Sequence, residues 1–293
     1  MTLLALALVL TAAVLHAVWN LSAKRAGSGL PFVFAVGVFM TAYYVPLVGI
    51  MLVWPGGPRL DGPALWVIAV STVLKTGYAL YLQRAYRSGD FSFIYPLVRG
   101  SAPLLATIGA VLFLGERPTL LGLAGGLLII TCIFFLSHGE RLWQKTLPNG
   151  APPRLKALGN ALIAGSFIAS YTVWDRNAVG IQQVNPVLFD GFTNIGLTVL
   201  LAPFAWSRRS AVTQVWRDHR REVIIMGTLS PLAYVLVLTA LSFTPVSYVA
   251  PAREFSILIA AYLGSRVLGE TASPRRLVCA VGMVIGLIAL ALA

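Results

Sequence analysis

Residues 81–116 read YLQRAYRSGDFSFIYPLVRGSAPLLATIGAVLFLGE, and residues 235–270 read VLVLTALSFTPVSYVAPAREFSILIAAYLGSRVLGE. The two segments align without a gap, so that Arg99 matches Arg253 and both segments end in Leu-Gly-Glu. Two stretches so far apart in one chain share this pattern when the chain contains two copies of one structural unit. The fold therefore has to be explained as a duplicated unit.

The start of the chain is repeated as well. Residues 16–23 read HAVWNLSA, and residues 171–178 read YTVWDRNA, which pairs Asn20 with Asp175. The two copies are thus each about 150 residues long and together span the whole sequence. We divide the chain into a first repeat, a connecting loop and a second repeat, with the bounds 1–137, 138–155 and 156–293.

Composition assigns the repeats to the membrane. The chain is 58% hydrophobic and 11% charged, with a mean hydropathy of +0.82, which is too apolar for a soluble domain of 293 residues. Apolar runs of about 20 residues, the length that crosses a bilayer as a helix, fill each repeat. The sequence predicts an all-α integral membrane protein with ten such helices, at 2–22, 31–53, 64–86, 92–114, 118–136, 156–176, 186–206, 222–242, 246–268 and 274–292.

The distribution of basic residues predicts the orientation. Of 22 Lys and Arg residues, 16 follow odd-numbered runs, and only Arg59, Arg117 and Arg176 follow even-numbered ones. Because basic loops stay in the cytoplasm, both termini are expected outside. Five crossings per repeat would place the two repeats in opposite orientations, as an inverted repeat around a central cavity.

Three cations remain inside the predicted spans. Lys75 lies at the centre of the third run, and Arg99 and Arg253 lie seven residues into the fourth and ninth runs. A charge at that depth is costly against lipid, so these side chains are expected to face a cavity or a partner. The structural alternative pairs Arg253 with Glu254 or Asp190 and lets Lys75 extend to the membrane surface.

Polar neighbours favour the cavity. Tyr78 shares a helix face with Lys75, and Tyr95 shares one with Arg99. Pro231 leaves the carbonyl of Gly227 without its helical donor, which is tolerated where backbone lines protein or water. The predicted substrate-binding residues are Lys75, Arg99, Tyr78, Tyr95, Arg253, His16 and Asn20.

Proton coupling would need a carboxyl group that changes its protonation state during transport. Glu254 and Asp190 are the two carboxylic acids inside predicted spans that suit this role. Glu254 lies deeper and is the preferred residue, although a salt bridge to a nearby cation would spoil the role.

The Leu-Gly-Glu ends and the glycine pairs suggest structural roles. Glu116 and Glu270 precede Pro118 and Pro274, and a carboxylate beside a helix N-terminus satisfies unpaired N–H groups. Two GxxxG patterns predict close helix packing, within the chain or in a homodimer. They are Gly122/Gly126 and Gly282/Gly286.

Several other functions find no support in the sequence. It contains no HExxH, GxSxG, Walker or GxGxxG motif, so we expect no catalytic residues, no cofactor and no enzyme activity. Cys132 and Cys279 are too few for a disulfide framework or a metal site. The net charge of +12 lies in loops beside lipid headgroups, so we expect partners in the bilayer and a small-molecule substrate, and no nucleic acid.

The repeated five-helix unit, the opening HAVWN and the paired LGE endings resemble the EamA family of the drug/metabolite transporter superfamily. The resemblance covers nearly the whole chain. It implies a multi-pass carrier of the inner (plasma) membrane that works by alternating access and exports amino acids or related metabolites. Many members of the superfamily are drawn with both ends in the cytoplasm, whereas the charge distribution predicts the opposite.

Three functions therefore remain open. The leading one is a carrier for a small anionic or zwitterionic metabolite, because the charges counted inside the spans lean cationic. The second is a multidrug or organic-cation exporter, which needs a carboxylate free of cations in the membrane. The third, a scaffold without transport, is disfavoured by the repeat.

Overall fold

The computed structural model describes residues 1–25, 29–58, 60–88, 91–136, 155–259 and 274–293. Within these ranges the regular secondary structure is helical, and no strand occurs. The all-α class predicted from the apolar runs is confirmed.

The first repeat forms five helices that match the five predicted spans within a few residues. They are α1 (Leu3–Arg25), α2 (Leu30–Val53), α3 (Gly62–Ser88), α4 (Phe91–Leu114) and α5 (Leu120–Leu136).

The second repeat follows the same plan with three differences. A π-helical turn, Asn177–Ile181, extends its first helix, and a short helix stands before its third. Its fourth helix is broken. The helices are α6 (Leu155–Arg176), α7 (Pro186–Trp206), α8 (Arg209–Asp218), α9 (Arg220–Phe243), α10 (Val246–Arg253) and α11 (Pro274–Leu292).

The break after α10 corrects the prediction of one continuous helix at 246–268. The N–H of Glu254 reaches the carbonyl of Pro251, three residues back, and the N–H of Ile257 likewise reaches Glu254. These tighter bonds replace the regular four-residue ladder, so the helix is interrupted before helical backbone resumes at 255–259. The rest of this run lies outside the described residues.

Eight of the ten predicted spans contain a helical segment that is clearly apolar. Five helical segments within α1, α2, α3, α7 and α9 are long and apolar enough to cross a bilayer, and shorter apolar segments lie in α4, α5 and α11. Of the other two, α6 carries Asp175 and Arg176 near its end, and the ninth run is interrupted.

Contacts between the two repeats hold the bundle together. The first helix of each repeat packs on the third helix of the other, as α1 on α9 and α6 on α3, while α2 packs on α7 and α5 packs on α11. Exchanging the repeats leaves this contact pattern unchanged, as an inverted repeat requires. The amine of Met1 donates to the carbonyls of Leu290 and Ala291, so both termini lie at one end of the bundle.

Small side chains bring these helices together. On α1, Ala5, Val9, Ala12 and Ala13 are completely buried, and their spacing places them on one helical face. Small residues let helix backbones approach closely, which stabilises helix pairs in a membrane. The first helix of the chain is therefore a core helix.

The glycine pairs serve contacts within the chain. A side-chain carbon on Gly125 or Gly286 would lie 2.7 Å from the other's carbonyl oxygen, so α5 and α11 touch through their backbones. Gly122 and Gly126 lie against α10, and Gly282 lies against the thiol of Cys132. A homodimer through Gly122/Gly126 and Gly282/Gly286 stays a prediction.

Helix α8 lies in the segment that was predicted as a loop at 207–221. Val212 and Val215 pack towards α2, and the ring of Trp216 lies 6.4 Å from that of Phe39. The arginines of this segment are exposed. A helix of ten residues is too short to cross a bilayer, so α8 covers the end of the bundle.

Candidate substrate-binding site

Lys75 lies beside a carboxylate in the middle of the bundle. Its Nζ is 3.3 Å from Oδ2 of Asp175, and the two side chains retain 13% and 0% of their exposure. The pair joins α3 to α6, which pack along their length. Lys75 therefore does not extend to the membrane surface, as the structural alternative required.

Hydrogen bonds hold the carboxylate of Asp175 on both oxygens. Ser71, one turn before Lys75 on α3, donates to Oδ1 at 2.6 Å, and Tyr234 of α9 donates to Oδ2 at 2.5 Å. A buried carboxylate needs such donors to offset its lost hydration. Three helices thus converge on this one group.

Aromatic rings surround the ammonium group of Lys75. Its Nζ lies 4.5 Å from the ring centre of Tyr234, 5.1 Å from Phe189 and 5.9 Å from Tyr171, and it donates to Thr193 at 3.1 Å. Aromatic faces attract cations at these distances, most strongly when water is excluded. We call Lys75, Asp175 and these rings the lysine cluster.

Asp190 of α7 lies next to the lysine cluster and is 1% exposed. Tyr44 of α2 donates to its Oδ2 at 2.5 Å, and the side chains of Thr193 and Asn194 donate to its backbone carbonyl. Among the described residues, no cation comes within 4.0 Å of its carboxylate. The described residues that contact Asp190 directly are therefore neutral.

A second group of charges lies at the break after α10. Nη2 of Arg99 is 2.8 Å from Oε2 of Glu254, and Nε of Arg253 is 3.7 Å from Oε1. Arg99 also donates to the hydroxyl of Ser256 at 3.2 Å. Among the described residues, two guanidinium groups thus share one carboxylate, which gives this part of the arginine cluster one excess positive charge.

Tyrosines connect the two clusters. The ring of Tyr171 lies 6.0 Å from that of Tyr78 and 6.4 Å from that of Tyr234. Tyr171 is within electrostatic range of Arg253 and Arg99 as well as of Asp175. The lysine and arginine clusters are therefore parts of one polar region.

The remaining predicted residues are placed differently. Nδ1 of His16 donates to the carbonyl of Ala12, and Asn20 donates to the carbonyl of His16, so both are bonded within α1. His16 lies within electrostatic range of Arg253. The side chain of Tyr95 lies outside the described residues.

The carbonyl of Gly227, which Pro231 leaves without its helical donor, accepts a hydrogen bond from another helix. The hydroxyl of Tyr43 on α2 donates to it at 2.7 Å. A side chain of the other repeat thus replaces the missing helical bond, as proline inside a membrane helix requires.

Asp175 is the main site residue that sequence reasoning missed. The predicted sixth span ended at 176, which placed Asp175 at the membrane edge. The π-helical turn Asn177–Ile181 continues the helix and moves Asp175 inward. Its repeat mate Asn20, already predicted as a site residue, was the available signal.

The count of buried charges changes accordingly. The expectation of a cationic interior is wrong, because the described bundle holds three carboxylates beside the three cations that the sequence placed inside the membrane. They are Lys75, Arg99 and Arg253, against Asp175, Asp190 and Glu254. What remains among the described residues is a separation, with excess negative charge around Asp175 and Asp190 and excess positive charge around Glu254.

Comparison with known proteins agrees with this architecture. The model of the EamA-like transporter family matches residues 3–138 and 155–292, one match for each repeat. The chain belongs to the EamA family. It is therefore a transporter of the drug/metabolite transporter type, in a multi-pass membrane fold.

The similarity to solved structures concerns the fold of this EamA protein. A structure described as "Crystal structure of protein" superposes with a TM-score of 0.75 over 98% of this chain and 96% of that chain, at 16% identity. No curated protein matches the sequence. The substrate has to be argued from the site itself.

Proposed function

We propose that this EamA protein is a secondary transporter that exports a small zwitterionic metabolite, such as an amino acid, across the inner (plasma) membrane by alternating access. The observation that carries the proposal is the separation of charge between the two clusters. A zwitterion is the kind of solute that matches positive excess at one end of a site and negative excess at the other.

The arginine cluster suits a substrate carboxylate. Arg99 and Arg253 present two guanidinium groups to the single carboxylate of Glu254. Each guanidinium carries five N–H donors in a planar fork that matches carboxylate geometry. A second carboxylate bound there would bring the local charge from positive to neutral, so binding would remove an electrostatic imbalance.

The lysine cluster suits a substrate ammonium group. Asp175 within the cluster and Asp190 beside it supply two carboxylates against one lysine, and the rings of Tyr171, Tyr234 and Phe189 lie around the ammonium group of Lys75. An incoming ammonium group would be stabilised by the same faces and carboxylates.

Alternating access is supported by the way in which the repeats meet. Each of the first four helices of one repeat contacts the other repeat, and the fourth helix of the second repeat is discontinuous beside the arginine cluster. Interrupted helices at the interface between inverted repeats form the substrate and ion sites of many secondary transporters.

Proton coupling is better assigned to Asp190 than to Glu254. Glu254 lies within 4 Å of two arginines, and a carboxylate neutralised by two cations is a poor proton carrier. Asp190 is contacted by the hydroxyl of Tyr44. We propose that Asp190 exchanges the coupling proton.

The test compares three forms of one amino acid in proteoliposomes: the zwitterion, its N-acetyl derivative and its methyl ester. Transport of the zwitterion at a rate at least tenfold above both derivatives is expected. The variant Arg99→Gln should lose this preference, while Arg221→Gln, on an exposed surface, is the matched control. Equal transport of the N-acetyl form would contradict the zwitterion proposal and indicate an anion carrier.

A second assay separates the coupling residues. With an imposed pH gradient, Asp190→Asn should lose gradient-driven accumulation while still exchanging substrate. Glu254→Gln should respond to the gradient as the parent does, with a weaker apparent affinity. Gradient-driven accumulation that survives in Asp190→Asn excludes that residue as the coupling group.

The organic-cation exporter is the second candidate, and Asp190 is the observation that favours it. Among the described residues, the carboxylate of Asp190 has no cation within 4.0 Å, and it lies beside the lysine cluster with its aromatic rings, which suits an organic ammonium ion. In the same proteoliposomes, this function predicts faster transport of the methyl ester than of the zwitterion.

A further inference from the structure

Glu116 of the first repeat binds the start of α10 in the second repeat. Its Oε1 accepts the backbone N–H of Val246 at 2.7 Å, and its Oε2 accepts the backbone N–H and the hydroxyl of Ser247 at 3.0 and 2.7 Å. The sequence suggested a role at the helix that follows Glu116 in the chain. The structure assigns it to a helix 130 residues away.

The Leu-Gly-Glu ending of α4 explains why the side chain of Glu116 points towards α10. Gly115 has a φ of +66°, a backbone conformation that other residues seldom adopt, and it turns the chain sharply at the end of α4. The N–H of Glu116 then bonds back to the carbonyl of Ala110 at 3.2 Å. This turn fixes the backbone of Glu116, so its side chain projects away from α4.

A second contact reinforces the same junction. The backbone N–H of Thr119 donates to the hydroxyl of Tyr248 at 3.1 Å, and the ring of Tyr248 lies directly against Gly122 of α5. Pro251, one turn further along α10, lies against Gly126. The end of α4 and the start of α5 together form a socket for α10.

The far end of α10 carries part of the arginine cluster. The helix has eight residues and is about 12 Å long at 1.5 Å per residue. It begins at the contacts with Glu116 and ends at Arg253, next to Glu254. Any tilt or shift at its beginning therefore also moves the charges that face Arg99.

We propose that Glu116 is a positioning residue for transport. It closes this end of the carrier by joining the two repeats, and it sets the place of Arg253 and Glu254 opposite Arg99. Release of the Glu116 contacts with Val246 and Ser247 is the step that opens this end. The same release moves α10 and weakens the substrate-binding arrangement of the arginine cluster.

The strength of the contact suits a step that controls opening. An ionised acceptor makes hydrogen bonds about twice as strong as neutral ones, and the amino end of a helix adds its partial positive charge. The three bonds connect groups from different repeats, so they must break when the repeats separate at this end. They stabilise the closed form without contacting substrate.

The proposal rests on the alternating-access carrier proposed above, and its test needs no substrate. Spin labels at Phe113→Cys and Phe243→Cys, both exposed and both at the end where α4 finishes and α10 begins, report the distance between the repeats. Cys132→Ala and Cys279→Ala remove the native thiols. Double electron–electron resonance is recorded in proteoliposomes.

Glu116→Gln should shift the distance distribution towards longer values and lower the ratio of closed to open molecules about tenfold. Ser247→Ala, which removes one of the three bonds, should lower it about threefold. Asp218→Asn, an exposed carboxylate on α8, makes the same charge change and should leave the distribution unaltered.

A reference pair, Val199→Cys with Leu232→Cys, lies on α7 and α9 within the second repeat and distinguishes opening from general loosening. The proposal requires this distance to stay constant in Glu116→Gln. An unchanged distance between the repeats, or a broadening of both pairs together, overturns it. If Glu116→Gln does not fold, the two distances measured in Ser247→Ala test the proposal by the same criteria. Failure of the substrate assays leaves this result standing, so the two proposals fail independently.

Discussion

The lysine cluster and the arginine cluster handle buried charge in opposite ways. Lys75 and Asp175 lie on continuous helices, and Ser71 and Tyr234 each donate a hydrogen bond to one oxygen of the Asp175 carboxylate. The arginine cluster lies at a helix break, where among the described residues Nε of Arg253 has no hydrogen bond. A completed network is rigid, whereas charges without full partners can rearrange around a ligand.

This difference assigns separate tasks to the two regions. Besides its proposed role in binding the substrate ammonium group, the lysine cluster joins α3, α6 and α9, so its loss should affect folding first. The arginine cluster is carried by α10, which the Glu116 contact positions, so its loss should affect transport first.

The largest effect is expected for Asp175→Asn. This change leaves Lys75 without its counter-charge inside the bundle, and breaking a buried ion pair costs about 3–5 kcal/mol. Thermal unfolding of the purified protein in detergent should show the loss, with Asp218→Asn on exposed α8 as the control. A parent-like melting curve would mean that the lysine cluster is not a structural centre.

A smaller loss is expected for Glu254→Gln. Arg99 retains Ser256 as a partner and its side chain is 16% exposed, so the uncompensated cations are better tolerated, at about 1–3 kcal/mol. Substrate affinity should fall more than stability. If the melting temperature fell as far as in Asp175→Asn, the contrast between the two clusters would be wrong.

Ser71→Ala probes the hydrogen bonds of the lysine cluster alone. It removes one donor to Asp175 and leaves the ion pair with Lys75 in place, which costs about 1–2 kcal/mol. Ser166→Ala, whose hydroxyl bonds only within its own exposed helix turn, is the matched control in the same unfolding measurement. Equal melting temperatures for the two variants would show that the donor contributes nothing.

The smallest expected effect is a difference in chemical reactivity. In a protein without Cys132 and Cys279, both Lys75→Cys and Arg99→Cys should react with small water-soluble thiol reagents, and Arg99→Cys should react severalfold faster. The physical reason is the helix break beside Arg99, which interrupts close helix packing there. Lys75, in contrast, lies between continuous helices that shield it. Complete protection of both positions would place them in sealed structural pairs.

Much of the fold could be predicted because its determinants are local. An apolar run of about 20 residues is a membrane helix whatever surrounds it, and α2 and α7 begin at or beside Pro31 and Pro186, where proline suits the first helical turn. The extra turn after α6 and the break after Arg253 were not predicted. Both depend on contacts with neighbouring helices, which hydropathy does not report.

The site was predicted in part for the same reason. The cost of charge in a membrane singles out Lys75, Arg99 and Arg253 from the sequence alone. The partner of Lys75 was harder to predict, since Asp175 stood at the apparent end of a span. A partner is decided by which helices touch, and α3 touches α6 only in the folded bundle.

The sequence by itself determined the class of the protein, the division into two repeats, the opposite orientation of those repeats and the identity of the cations that must be buried. These properties follow from composition and from spacing along the chain. The tertiary structure decided the pairing of Lys75 with Asp175, the sharing of Glu254 by two arginines and the attachment of α10 to Glu116. Each of these contacts joins different repeats or forms at a helix break, where proximity is created by packing and leaves no periodic trace in the sequence.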